Sequence, residues 1–349
     1  EICACLVGSE MCIRDRICTG IAVVIIPIVC LYLLQCLLVP KYASDIKEGA
    51  MIKEYYNSEK NHDVLILGDC EVYENISTVT MWENYGISSY IRGSAEQLIW
   101  QSYYLLEDTL KYEKPQVVIL NVLAMTESDA KNEAYNRMTL DGMKLSKYKI
   151  ASVRESMTEE ENMASYIFPL LRYHSRWSEL SSEDFRYMWK TPSVTTNGYL
   201  MQKGVRPVTT IPKAAPLANY TFSDRNMEYL DKIYSLCKDN GINLVLMKAP
   251  SVYPHWYDEW DKQVSDYAYE HGILYLNTIN EAGNIGIDYT TDTFDYGQHL
   301  NVEGAEKLSL YLGEHLVKNF RLTDHRQDES YKNAWQTIVN KYYEEKQGD

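Results

Sequence analysis

The chain predicts an α/β fold: a doubly wound, mostly parallel five-stranded sheet. Two observations carry that prediction. Five short apolar runs recur along the sequence, each followed by a stretch of helical period. The runs are apolar throughout rather than alternating, the pattern of strands buried on both faces. Strand–helix alternation of this kind closes into a parallel sheet covered by helices on both sides.

The elements follow in order. Glu1–Arg16 (EICACLVGSEMCIRDR) has no hydrophobic period and resembles a translated sequencing adapter; it is set aside from the fold. A chain that opens on Glu instead of Met reads as an incomplete gene product. Ile17–Val39 has no charged side chain and only Gln35 as a strongly polar one, so it is long and apolar enough for a membrane helix, with Pro27 tolerated inside it. Arg14 and Arg16 favour a cytoplasmic N-terminus. Tyr42–Asn61 reads as a juxtamembrane helix. The strands are His62–Gly68, Ile87–Ile91, Gln116–Leu123, Ile242–Met247 and Ile273–Leu276. Helices are expected at Ser77–Tyr85 with Ser77 or Thr78 as cap, Ala95–Tyr112, Asp224–Lys238 stopped by Asn240-Gly241, His255–Glu270 and Val302–Lys318. Thr126–Pro216 breaks the alternation and reads as one insertion or cap, with a helix at Glu159–Leu180 and a hairpin at Asn197-Gly198. The resulting division is a leader at 1–16, a span at 17–39, an α/β domain at 42–320 and a helical tail at 321–349. In the tail Trp335, Ile338, Val339 and Tyr342 share a face that should dock on the domain.

Composition narrows the function. A net charge of −15 argues against nucleic acid, which needs a basic face, and gives no reason for docking on anionic lipid. The 30 tyrosines read as core and half-buried strand residues. Of eight cysteines, six fall in the leader and the span; Cys70 and Cys237 belong to the domain. Cys237 lies on the apolar face of a helix and reads as packing. No Gly-rich phosphate loop or HExxH motif is present, and no cofactor is expected.

Two stretches carry chemistry. In a parallel sheet ligands sit beyond the carboxyl ends of the strands. After the first strand comes Gly68-Asp69-Cys70-Glu71, a sharp turn that presents a nucleophile beside its own backbone N–H. Near the end comes Asp295-Tyr296-Gly297-Gln298-His299-Leu300-Asn301, a His ahead of a helix with carboxylates at Asp295 and Asp292 to orient it. Lys248, after the fourth strand, could bind substrate or face solvent. His174, between Arg172 and Arg176, could line a cleft or sit on a solvated helix face.

This pair of stretches resembles the SGNH/GDSL hydrolase superfamily, in particular its membrane-anchored members that act outside the cell. Gly68-Asp69 match the first block, with Cys70 in place of the nucleophilic Ser. His299-Leu300-Asn301 and Gly304 match the last block. Gly93 falls where the family supplies an oxyanion-hole glycine, and Asn121 lies near, but out of register with, the Asn of the third block. The resemblance spans roughly Asp63 to Lys318, with Thr126–Pro216 as a variable insertion. It implies Cys70 as nucleophile, His299 as base, Asp295 or Asp292 as orienting acid, and Cys70, Gly93 and Asn121 at the oxyanion hole. The implied activity is that of an esterase or O-acyltransferase on acetyl groups of a cell-surface glycan, from a single-pass membrane protein with its domain outside the cytoplasm. The alternative is an inactive glycan-binding or scaffold protein in a membrane complex.

Overall fold

The computed structural model describes residues 2–41, 49–211 and 213–348, with side chains described from residue 15 onward. They fall into two compact units, one holding the N-terminal helix with 164–192, the other the remaining residues. The start of the expected juxtamembrane helix, 42–48, lies outside the described residues; beyond it Ala50–Glu54 is helical.

In the first unit a helix runs from Ile2 to Leu38. It takes in the segment Glu1–Arg16 from Ile2 onward, because nothing between Ile2 and Arg16 breaks a helix. Asp15–Leu38 has a mean hydropathy of 2.8 and is long and apolar enough to cross a membrane. Its final carbonyls are capped by cations. Lys41 Nζ donates to the Cys36 carbonyl at 2.6 Å, and Arg176 Nη1 donates to the Leu38 carbonyl at 2.5 Å. The helix expected over Glu159–Leu180 is instead broken into Met163–Ile167, Leu170–Tyr173 and a 3₁₀ turn, His174–Ser178. Pro169, with no N–H to donate, starts a new segment there.

The second unit contains the sheet. Its strands are β1 (Val64–Gly68), β2 (Ser89–Gly93), β3 (Val117–Asn121), β4 (Asn243–Lys248) and β5 (Leu274–Asn277), all parallel, in the order β2-β1-β3-β4-β5. This is a doubly wound sheet whose strand order reverses between β1 and β3, the place where such sheets bind ligands. β1, β2 and β3 are buried along their whole length, as their unbroken apolar runs require.

Two strands run past their apolar runs because a buried charge is paired at the end. In β2, Arg92 donates to Asp108 at 3.2 Å and to the Leu105 carbonyl and Thr109, and its guanidinium lies over the Tyr55 ring. In β4, Lys248 is wholly buried and paired. The edge strand β2 is itself covered. Asn197-Gly198 forms the expected tight turn, both residues having positive φ. Ile91 N–H donates to the Asn197 carbonyl, and the Asn197 amide donates to Ser89 O. A Cβ at Gly198 would lie 2.0 Å from Ile91 O, so only glycine lets the turn approach so closely.

The tail docks as its pattern implies. The helix Glu329–Gln347 buries Trp335 and Tyr342. The Trp335 ring stacks on Trp82 of the Thr78–Tyr85 helix, with centroids 4.9 Å apart and planes 4° from parallel. Its indole N–H reaches Ser88 at 3.4 Å. Trp335→Ala should therefore cost about 3–5 kcal/mol of unfolding free energy, the usual loss for a buried aromatic; the check is a denaturant titration of the full chain in detergent, and a loss below about 1 kcal/mol would mean the tail is not docked.

Candidate active site

β1 ends at Gly68, whose φ of 155° no other residue adopts readily; a Cβ there would sit 2.8 Å from the Asn121 Cβ. The chain then turns into the short helix Cys70–Tyr73. Asp69 caps it, its carboxylate accepting from the Glu71 N–H at 3.1 Å. Gly93 is paired with Gly68 across the sheet, and its bare Cα lets Val72 and Tyr73 pack against β2.

Beneath the turn lies a buried polar cluster. Lys248 Nζ bonds Glu71 at 2.6 Å, Ser251 at 3.1 Å and the Ala249 carbonyl at 2.8 Å. Asn121 gives one N–H to Asp69 at 3.1 Å and one to Glu71 at 3.0 Å, and accepts from the Ala249 N–H. Both amide donors of Asn121 are thus engaged in bracing the turn. The reading of Lys248 as a substrate-facing or solvent-facing group is corrected: it is fully buried and its charge is spent on Glu71.

The second stretch meets the first. The Leu300 N–H donates to the Asn75 side chain at 2.8 Å, and Gln202 donates to Glu74 at 2.8 Å while its carbonyl accepts from Val302. The His299 ring bonds Asp295 through Nδ1 at 2.7 Å, and the same carboxylate accepts the His299 backbone N–H at 2.8 Å. Glu74, one turn beyond Cys70, lies 3.2 Å from the same ring nitrogen. Of the two acids left open by the sequence, Asp295 holds the imidazole. Asp292 does not: it is buried, paired with Lys307 at 2.6 Å and bonded to the Asp288 N–H. With Nδ1 tied to carboxylates, Nε2 has no hydrogen-bond partner among the described residues and is the nitrogen free to move a proton. Among the described residues no hydrogen bond joins the Cys70 thiol to His299.

The electrostatics are strongly acidic. Burial, then Asp69, Glu74, Glu71 and Glu96, push the Cys70 thiol well above its ordinary value. Burial and Glu71 push the Asp69 carboxyl up to about 7. Burial works against a charged His299, but Asp295 and Glu74 outweigh it and hold the imidazole above its usual value. Burial likewise opposes ionisation of Asp295, yet its bonds from His299 and Thr293 keep it below the ordinary carboxylate range. Burial raises Glu74. Two carboxylates on one imidazole are thus held at different proton affinities.

Sequence reasoning passed over Glu74, Asn75 and Gln202. The spacing of Glu74, four residues after Cys70, was the available signal. His174 is solvent-exposed, and among the described residues its ring bonds the Leu171 carbonyl in its own turn. A cleft of about 450 Å³ lined by Tyr234, Cys237, Leu274 and Phe320 sits at the other, N-terminal edge of β4 and β5. Burial pushes the Cys237 thiol up to about 12, consistent with packing.

No protein-family model and no curated protein matches the sequence. Among solved structures, two with provisional names are similar in fold. One is an acylhydrolase from Bacteroides fragilis, 11% identical, with 80% of this chain and 98% of that one covered and a TM-score of 0.38. The other is a lipolytic protein of the G-D-S-L family from Desulfitobacterium hafniense, 13% identical, with 73% and 99% covered and a TM-score of 0.36. A GDSL-like lipase from Bacteroides thetaiotaomicron is 11% identical, with 78% and 99% covered and a TM-score of 0.38.

Two outcomes test this description. Lys248→Met should cost about 3–5 kcal/mol because it strands a buried Glu71, while Lys248→Met/Glu71→Leu should recover much of the loss; equal costs in thermal melts would show that the pair does not act as one unit. Cys70 should alkylate with iodoacetamide more slowly at pH 7 than a free peptide thiol, and its rate should still be climbing above pH 9, since a raised pKa leaves less thiolate at any given pH. A rate that levels off near pH 7, read peptide by peptide, would contradict the acidic surroundings.

Proposed function

We propose that this chain is an esterase or O-acyltransferase of SGNH/GDSL type that acts, from a single-pass membrane anchor and outside the cytoplasm, on acetyl groups of a cell-surface glycan. The observation that supports it is the junction of two distant stretches at the switch point of the sheet: the turn bearing Cys70 is bonded through Glu74 and Asn75 to the loop bearing His299. Cys70 attacks the acyl carbonyl as His299 Nε2 takes the thiol proton, and the backbone N–H groups of Cys70 and Gly93 receive the oxyanion. Collapse of that intermediate expels the sugar oxygen, which takes the proton back from His299. Water or a second sugar hydroxyl then attacks the thioester, with His299 again as base; collapse breaks the C–S bond, and the Cys70 sulfur takes the proton back from His299 as the acid or new ester leaves. Asp295 keeps the imidazole oriented. Asn121, expected as a third oxyanion donor, serves here as the brace of the Asp69–Glu71 turn. The glycan and its acetyl group come from the resemblance of the motifs.

A second reading has its own support. The raised thiol and the missing thiol–imidazole bond favour an inactive member that binds glycan or a membrane-protein partner through the same face.

Aryl-acetate hydrolysis by the full chain separates the two. Cys70→Ala and His299→Ala should each lower kcat/KM by roughly 10²–10⁴-fold, the span of a general acid–base contribution, and Cys70→Ser should retain more activity than Cys70→Ala. Because His299 is a base only when neutral and its pKa lies above the ordinary value, activity should rise with pH along a limb shifted to the alkaline side; Asp295→Asn should move that limb toward lower pH. Activity untouched in Cys70→Ala would remove the nucleophile.

A further inference from the structure

The segment 164–192 interrupts the α/β unit in sequence but belongs to the unit of the N-terminal helix. That helix lies against Leu170–Tyr173, His174–Ser178 and Ser182–Arg186. Among the described residues the segment exposes five large apolar side chains: Phe168, Leu171, Trp177, Phe185 and Trp189. Trp177 is 73% and Trp189 67% exposed. Single exposed apolar residues are ordinary on a soluble surface, but a cluster of five with two tryptophans is not.

The position of the cluster along the helix identifies its occupant. Lys41 and Arg176 cap the carbonyls of Cys36, Leu37 and Leu38, so the apolar helix ends at charged groups that belong in water. The Trp189 ring meets Tyr32, with centroids 6.4 Å apart. Tyr32 lies six residues before Leu38, which at the helical rise is about 9 Å deeper. That depth, just inside the end of an apolar span, is where tryptophan and tyrosine collect at the boundary between headgroups and acyl chains. One carboxylate of the segment, Asp184, is buried, bonding Arg176 and the Ser181 N–H; Glu179, Glu183, Arg186 and Lys190 stay exposed, as headgroup-level groups would. Exposed tryptophans beside charged groups, at the end of an apolar helix, suit the boundary between headgroups and acyl chains.

We propose that 164–192 is an interfacial element whose exposed Trp177, Phe185 and Trp189 seat in the outer few ångströms of the bilayer around the end of the span. This rests on reading the N-terminal helix as a membrane span. The contact is apolar, so it needs no anionic lipid and survives salt.

The test uses the full chain reconstituted in phosphatidylcholine vesicles whose acyl chains are brominated either near the headgroup or near the terminal methyl. Tryptophan emission should be quenched more by the shallow bromines, equally in low and high salt, and Trp177→Phe/Trp189→Phe should lose most of that quenching. Trp82, Trp100, Trp256 and Trp335, buried in the α/β unit, and the half-buried Trp260 supply the remaining emission. Quenching that persists in the double variant, or that is absent from the wild-type chain, overturns the proposal. Alkaline carbonate extraction of the same vesicles tells the two failures apart. A chain released by carbonate has no span, and both readings fall. A chain that resists extraction but shows no quenching at these tryptophans keeps its span and loses the interfacial element, as it would if a protein partner were the true occupant.

Discussion

The ion pair of Glu71 and Lys248 holds three strand ends together. Neither group reaches water, so each is tolerable only because the other is present and because Asn121, Ser251 and the Ala249 carbonyl fill the remaining hydrogen-bond positions. The pair joins the turn after β1 to the end of β4, and Asn121 adds the end of β3. Everything that gives Cys70 its place follows from that knot. The short helix can begin where it does only because Asp69 and Glu71 are pinned from below, and Glu74 reaches His299 only because the helix begins there.

The same knot sets the chemistry. A thiol above a cluster of carboxylates is a reluctant anion, while an imidazole between two carboxylates binds a proton more readily than usual. These surroundings oppose a standing thiolate–imidazolium pair of the kind that activates most nucleophilic cysteines. Serine, whose hydroxyl never ionises at such pH, fits these surroundings as readily as cysteine does.

What could be read from the sequence was whatever depends on local pattern. All five strands, the helices that follow them and the apolar face of the tail announce themselves through periodicity, and the two chemical stretches stand out by spacing. What could not be read depends on partners far away in the chain. The ends of β2 and β4 extend through Arg92 and Lys248, charges that look like strand terminators until Asp108 and Glu71 are seen beside them. The choice of Asp295 over Asp292 turns on Lys307, which claims the latter. The split of the long predicted helix at Pro169 was in principle legible. The assignment of 164–192 to the unit of the N-terminal helix was not, since no pattern in one segment names its neighbour.

The tight turn at Asn197-Gly198 has a wider meaning for how this chain can be altered. It comes from the return leg of the long insertion, yet it supplies the hydrogen bonds that β2 would otherwise offer to any passing strand. The insertion is thus a seal as well as an ornament. A shortened relative that kept the helices but dropped this leg would leave a sticky border open, and its failure would appear as self-association even with the rest of the sheet intact.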